Sequence, residues 1–173
     1  MPRNVPGFDE LLDSATRRAA HLELRDHYGV DEERQMVSAW RANGAVPAYD
    51  SEFWRPWVSL VERTVARGVQ VRRARVVSQP VTEYIRFEHA ITDVNLRAGE
   101  QVRWLSRRQA CDLALPGNDF WLIDDKVVRF NIFSGDGAAL EPEMSEDASV
   151  IKLCADAFDA VWERGVPHTE FTV

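Results

Sequence analysis

Three arginines within four residues, Arg72, Arg73 and Arg75, interrupt the apolar run Val69-Gln-Val-Arg-Arg-Ala-Arg-Val-Val77, and Arg86 and Arg103 follow in the next two elements. A guanidinium is a planar fork that grips phosphate or carboxylate through two parallel hydrogen bonds, so these groups, gathered at strand ends, would hold an anion. The competing reading is structural, with each strand arginine paired to an acid such as Glu83 or Glu88. Asn118-Asp119 follows Pro116-Gly117 and precedes a strongly apolar run, which places both side chains at a strand mouth, where open α/β folds put their sites. The same Asp119 could instead accept turn N–H groups. With Tyr84 as a hydroxyl donor and Trp121 as a pocket wall beside Trp104, the candidate ligand-binding set is Arg73, Arg75, Glu83, Tyr84, Arg86, Arg103, Asn118, Asp119 and Trp121. No residue is assigned a catalytic role.

Complete motifs are missing. Glycine-rich phosphate loops, His-Glu-x-x-His, Cys-x-x-Cys and Gly-x-Ser-x-Gly are all absent, which removes the common nucleotide, zinc and serine-hydrolase readings. Cys111 and Cys154 lie in helix-like stretches with no ligand-spaced partner, so buried free thiols, no disulfide, no metal and no cofactor are expected. His21 and His89 read as edge or helix-surface positions and His27 as a turn neighbour. His168 reaches a cleft only if the tail folds back.

Hydrophobic residues make up 45% and charged residues 28% of the 173, an ordinary globular composition that suits one domain. That domain divides into a helical and strand region 1–68, an α/β region 69–165 and a short tail 166–173. No apolar run approaches the ~20 residues of a membrane span, and Met1-Pro-Arg-Asn-Val-Pro-Gly lacks a signal peptide's apolar core, so a cytoplasmic protein is expected. The net charge of −7 is unevenly spread: residues 63–108 carry ten basic and four acidic side chains, and the flanks are acidic. Such a basic middle marks either an anion site or an inner layer paired with acidic neighbours, and the acidic whole argues against direct nucleic-acid binding.

The elements that position these residues follow from periodicity. Phe8, Leu11, Leu12, Ala15 and Ala19 recur at helical spacing, then His21–Arg25 alternates as a strand. Helices are expected over 31–43, 51–68 and, as one element, 82–98; Val69–Val77 and 100–105 read as strands, and 106–113 as a short helix. In Val69–Val77 the valines share parity with Arg73 and Arg75, so without a bulge one sheet face must carry both. Residues 119–123 and 126–133 form a hairpin around Asp124-Asp125, and 147–164 is the most strongly amphipathic helix. The order gives an α/β or α+β fold with a mixed central sheet of about four to six strands flanked by helices.

The runs Arg72 to Glu88, Ala98-Gly-Glu-Gln-Val-Arg-Trp-Leu105 and Leu115-Pro-Gly-Asn-Asp-Phe-Trp-Leu-Ile-Asp124, together with His21 to Tyr28 and the final helix, resemble an actinobacterial domain-of-unknown-function family, number 6879. The resemblance spans nearly the whole chain. It implies no activity, but members are often encoded beside helix-turn-helix regulators and small companion proteins, which implies a regulatory or toxin–antitoxin-like setting. The order of elements is also similar to half of a phospholipase D-like domain. That superfamily's histidine, lysine and aspartate, aligned on Asp125, fall on Asn118, Phe120 and Asp125, so nucleophile and cationic partner are both missing. The leading expectation is a non-catalytic regulatory or interaction protein. Its partner would be a helix-turn-helix regulator or another protein, a small anion or a second copy in a homodimer. The alternative is a degenerate phospholipase D-like enzyme on a phosphoester or nucleotide, with Arg73, Arg75 and Arg86 as clamps, Asp119 as base and Tyr84 as donor. Geometry discriminates: an enzyme needs these groups converging on one pocket, whereas an interaction protein leaves them dispersed or mutually paired.

Overall fold

A computed structural model describes residues 6–29 and 31–173; the run 1–5, read above as lacking a signal peptide's core, lies outside the described residues. Seven strands form one sheet in the order β6-β5-β4-β1-β2-β3-β7. These are β1 Arg18–Glu23, β2 Gln70–Val77, β3 Gln101–Ser106, β4 Asp119–Ile123, β5 Val127–Asn131, β6 Glu143–Ser145 and β7 Val166–Pro167. β1, β2 and β3 run parallel, and every other pairing is antiparallel, so the sheet is mixed as expected but wider than four to six strands. The two extra edge strands, three and two residues long, carry no readable alternation.

The parallel strands are joined by helical crossovers: α2 (Asp31–Asn43) and α3 (Arg55–Ala66) between β1 and β2, α4 (Glu83–Ile91) and α5 (Asp93–Ala98) between β2 and β3. They cover one face together with α1 (Phe8–Asp13); α6 (Ala148–Arg164) covers the other. Under α6 the core is wholly apolar, joining Ala20, Leu22, Ala74, Val76, Leu105, Phe120 and Leu122 to Cys154, Phe158 and Val161. Asp147 caps that helix by accepting from the Ser149 and Val150 amides at 2.8 and 3.3 Å.

Three expectations change. The N-terminal helix stops at Asp13 rather than running to Ala19, because Asp124 draws the amides of Thr16, Arg17 and Arg18 at 2.8, 2.7 and 3.0 Å and feeds the chain into β1. The single helix over 82–98 breaks at Thr92, whose hydroxyl donates to the Glu88 carbonyl at 2.6 Å while its amide bonds His89 instead. The 106–113 helix shrinks to a 3-10 turn at Arg107–Ala110. The hairpin stands as read, with Asp124 and Asp125 both at positive φ, 53° and 57°, the geometry of a type I′ turn. No bulge interrupts the β1–β2–β3 ladders, so Val71, Arg73, Arg75 and Val77 do share one face.

Candidate functional site

On that shared face, β1 contributes His21 and Glu23, β2 contributes Arg73 and Arg75, and β3 contributes Trp104; α4 and α5 bring Glu88 and Asn95 down onto them. The charges form an unbroken chain. Arg73 reaches Glu100 at 2.8 Å and Glu23 at 2.9 Å; Arg75 reaches Glu23 at 2.6 Å and Glu88 at 2.7 Å. Asn95 donates to the second Glu100 oxygen at 2.5 Å. The Arg75 Nε contact is an ion pair without hydrogen-bond alignment. Trp104 stacks on the Arg75 guanidinium at 4.8 Å and Trp57 lies over Arg73 at 5.6 Å, so aromatic faces replace water around both cations.

Two guanidinium groups thus meet three carboxylates, and burial together with these charges shifts the groups near them. Burial disfavours a charged Glu23, yet Arg75 and Arg73 overcome it and hold the carboxyl down to about 2. His21 is pushed down to about 3, chiefly by burial, and lies stacked on Trp121 at 4.3 Å. It is a buried neutral residue rather than an edge position.

Beyond the chain of charges, at the C-terminal ends of β1 and β2, lie two carboxyl–tyrosine pairs. Asp119 accepts from the Leu24 amide at 2.8 Å and from the Tyr28 hydroxyl in a short bond. Glu33 of α2 accepts from the Tyr84 hydroxyl of α4 at 2.5 Å. Burial, reinforced by Glu23, raises Asp119 to about 6; burial, reinforced by Glu88, raises Glu33 to about 7. Both tyrosines are driven upward, first by burial and then by the neighbouring carboxylates, so they stay protonated donors. The Tyr28 and Tyr84 rings are 6.1 Å apart and His27 meets Tyr84 edge-on at 5.0 Å. A cavity of about 650 Å³ opens beside them, lined in part by His27, Tyr28, Glu33, Arg41, Tyr84 and Asp136.

The proposed residue set therefore divides. Arg73, Arg75, Tyr84 and Asp119 lie on or near the buried seam, but the arginines bond Glu23, Glu88 and Glu100, and Asp119 bonds Tyr28 rather than an arginine. Glu83 faces outward and pairs with Arg41 at 2.6 Å; Arg86 and Asn118 are exposed. Arg103 points to the α6 side, donating to the Trp162 carbonyl at 2.8 Å and stacking over its ring. Trp121 and Trp104 are buried core rather than cavity walls. The tail does fold back: Trp104 Nε1–H donates to His168 Nδ1 at 3.1 Å, and His168 stacks on His89 at 4.2 Å. Cys154 is buried, but Cys111 is exposed at the surface instead of packed. Glu23, Tyr28, Glu33 and Glu100 escaped the sequence reading. The only available signal was that a strand arginine needs an acid on its own face, which Glu23 provides in β1.

Among the described residues, no group of three or more His, Cys, Asp or Glu is arranged to hold a metal ion, and no helix is long and apolar enough to cross a membrane. A family model described as "Domain of unknown function (DUF6879)" matches residues 6–173. No curated protein matches the sequence. Among solved structures, the chain is similar to Nuc, a phospholipase D family member from Salmonella typhimurium, at 11% identity and TM-score 0.49, over 92% of this chain and 86% of that one. It is also similar to TrmBL2, an archaeal chromatin protein, at 15% identity and TM-score 0.47, over 91% of this chain and 47% of that one.

Proposed function

The chain belongs to the DUF6879 family, whose description assigns no activity, and we propose that it is a non-catalytic interaction protein, cytoplasmic and regulatory, acting through a protein partner such as a helix-turn-helix regulator. One observation carries this reading. The arginines that would have clamped an anion are spent on buried carboxylates of the same chain, Arg73 on Glu100 and Glu23, Arg75 on Glu23 and Glu88. A phosphate entering there would have to displace these partners and leave Glu carboxylates buried without a cation, which costs several kcal/mol per ion by an order-of-magnitude estimate of about 3–5. The remaining basic candidates, Arg86 and Arg103, lie elsewhere, so no convergent clamp remains.

Calorimetric titration of the purified chain with inorganic phosphate and nucleoside phosphates tests this, and silence is expected. Sedimentation of the chain mixed with a helix-turn-helix regulator should show a complex. Stoichiometric anion binding that disappears in Arg75→Met, or turnover of a phosphodiester, would reject the reading.

A second reading is favoured by Glu33, which is brought to about 7 and lines a cavity, and by Asp119, brought to about 6 and bonded to Tyr28, which lines the same cavity. Groups that titrate near neutrality can exchange protons with a substrate. Hydrolysis of an aryl phosphodiester between pH 5 and 8, lost in Asp119→Asn, is the outcome that would establish it.

A further inference from the structure

We propose that the free edge of β6, with the groove between it and α1, is a docking site for an extended, basic segment of a partner protein that joins the sheet as a further strand. The inference deepens the interaction reading above and rests on it. β6 is last in the strand order and pairs only with β5, through Phe130–Glu143, Arg129–Met144 and Val128–Ser145. Its outward backbone groups have no strand partner among the described residues. A free edge can accept an added strand, whose backbone supplies hydrogen bonds and whose alternate side chains enter whatever lies on either face.

What lies on the α1 side is a cavity of about 840 Å³. Leu11, Val127 and Met144 give it an apolar floor, and Glu10, Glu143 and Glu146 give it an acidic rim. The charge at this edge is mainly acidic: residues 130–151 contain Asp136, Glu141, Glu143, Glu146 and Asp147 and no lysine or arginine, while Arg129, opposite Met144, turns its guanidinium over the Phe8 ring. A segment alternating apolar and basic residues fits both features, because lysine stems cover apolar surface while their ammonium heads meet the rim. The charge also selects against other occupants. Two β6 edges from two copies would set like charges against each other, and a nucleic acid would be repelled. The opposite sheet edge offers no equivalent, since β7 is the two residues Val166–Pro167 and the proline has no N–H to give.

The test uses the full chain and a labelled heptapeptide alternating lysine and valine, read by fluorescence anisotropy and by amide resonances. Saturable binding is expected, with resonance shifts and exchange protection at 143–145. Glu143→Lys with Glu146→Lys, both exposed side chains, should weaken it about tenfold or more, and so should N-methylation of alternate peptide residues, which removes backbone donors. Thermal melts of the double variant confirm that it is folded. Absence of binding, binding indifferent to N-methylation or to the double variant, or shifts that map away from β6 would overturn the proposal. So would a homodimer that protects the β6 amides without peptide. Phosphate titration of the same sample separates the two levels: silence there with no peptide binding removes the groove alone, whereas anion binding removes the interaction reading beneath it.

Discussion

The two faces of one sheet are built on opposite principles. Under α6, alternate residues of β1, β2 and β4 present Ala20, Leu22, Ala74, Val76, Phe120 and Leu122 to a dry apolar helix face. One residue along the same strands, β1 and β2 present His21, Glu23, Arg73 and Arg75 to the opposite face, where Trp57 of α3 lies over Arg73 and Glu88 of α4 meets Arg75. The apolar face gains with area removed from water, and loss of a side chain is charged by the volume it leaves. The ionic face gains little net energy, because desolvation offsets Coulomb attraction, yet it is intolerant of a missing partner. Burial, similar on both sides, therefore predicts different sensitivities.

The largest effect should come from Arg75→Met, which leaves Glu88 without its cation and Glu23 with Arg73 alone; destabilisation within the ~3–5 kcal/mol range is expected in denaturant melts at neutral pH. The deficit should shrink on acidification, because a buried carboxylate without a cation takes up a proton. A loss under ~1 kcal/mol would break the comparison by showing that the layer is solvated. Next is Phe158→Ala, fully buried and stacked on Trp162, for which about 3–5 kcal/mol is expected with no dependence on pH. Pairing these two pH profiles is the sharpest test of the contrast.

A smaller and signed effect belongs to Glu33. Its folded value, raised from 4.5 to about 7, means that the folded state holds its proton where the unfolded state has lost it. The stability contribution is therefore complete below about pH 4.5 and disappears as pH rises through about 7. Wild type should accordingly lose stability relative to Glu33→Gln across that window. His21 and His168, both lowered by burial, tilt the profile the opposite way but do so in both proteins. A flat difference between wild type and variant would show Glu33 to be solvated. The smallest effect is Lys152→Ala at the α6 surface, where the Asp156 pair at 2.6 Å is exposed at 75% and 66%; no shift resolvable in melts is expected.

Much of this contrast was legible in the strand from Val69 to Val77. Its parity already required valines and arginines on one face, and the uninterrupted ladders confirm it. The bounds of α2, the hairpin's first strand and turn, and the long final helix were likewise readable, because each carries its own periodicity or turn chemistry; the second strand of the hairpin ends at Asn131, short of the expected Phe133. What failed was non-local. Arg73 finds Glu23 at a separation of 50 residues and Tyr28 finds Asp119 at 91, distances over which sequence spacing carries no information. Of the two acids expected to pair with the strand arginines, Glu88 does meet Arg75, whereas Glu83 sits on the outer face of α4 and pairs with Arg41. Thr92, through its hydroxyl bond to the Glu88 carbonyl, and Asp124, through the three amides it accepts from, altered helix boundaries by competing with the helical ladder.

By itself, then, the sequence determined the mixed α/β class, the elements with their own period, and the necessity that Arg73 and Arg75 be satisfied inside the protein. The tertiary structure decided by whom. Parallel pairing of β1 with β2 sets Glu23 beside Arg75 in register, and the crossover helices lower Glu88 onto it, so carboxylates of the chain occupy the positions an anionic ligand would have needed. The physical reason is desolvation: a guanidinium sealed under two helices must have its countercharge folded in with it, and which acid supplies that charge is fixed only when the strands come together.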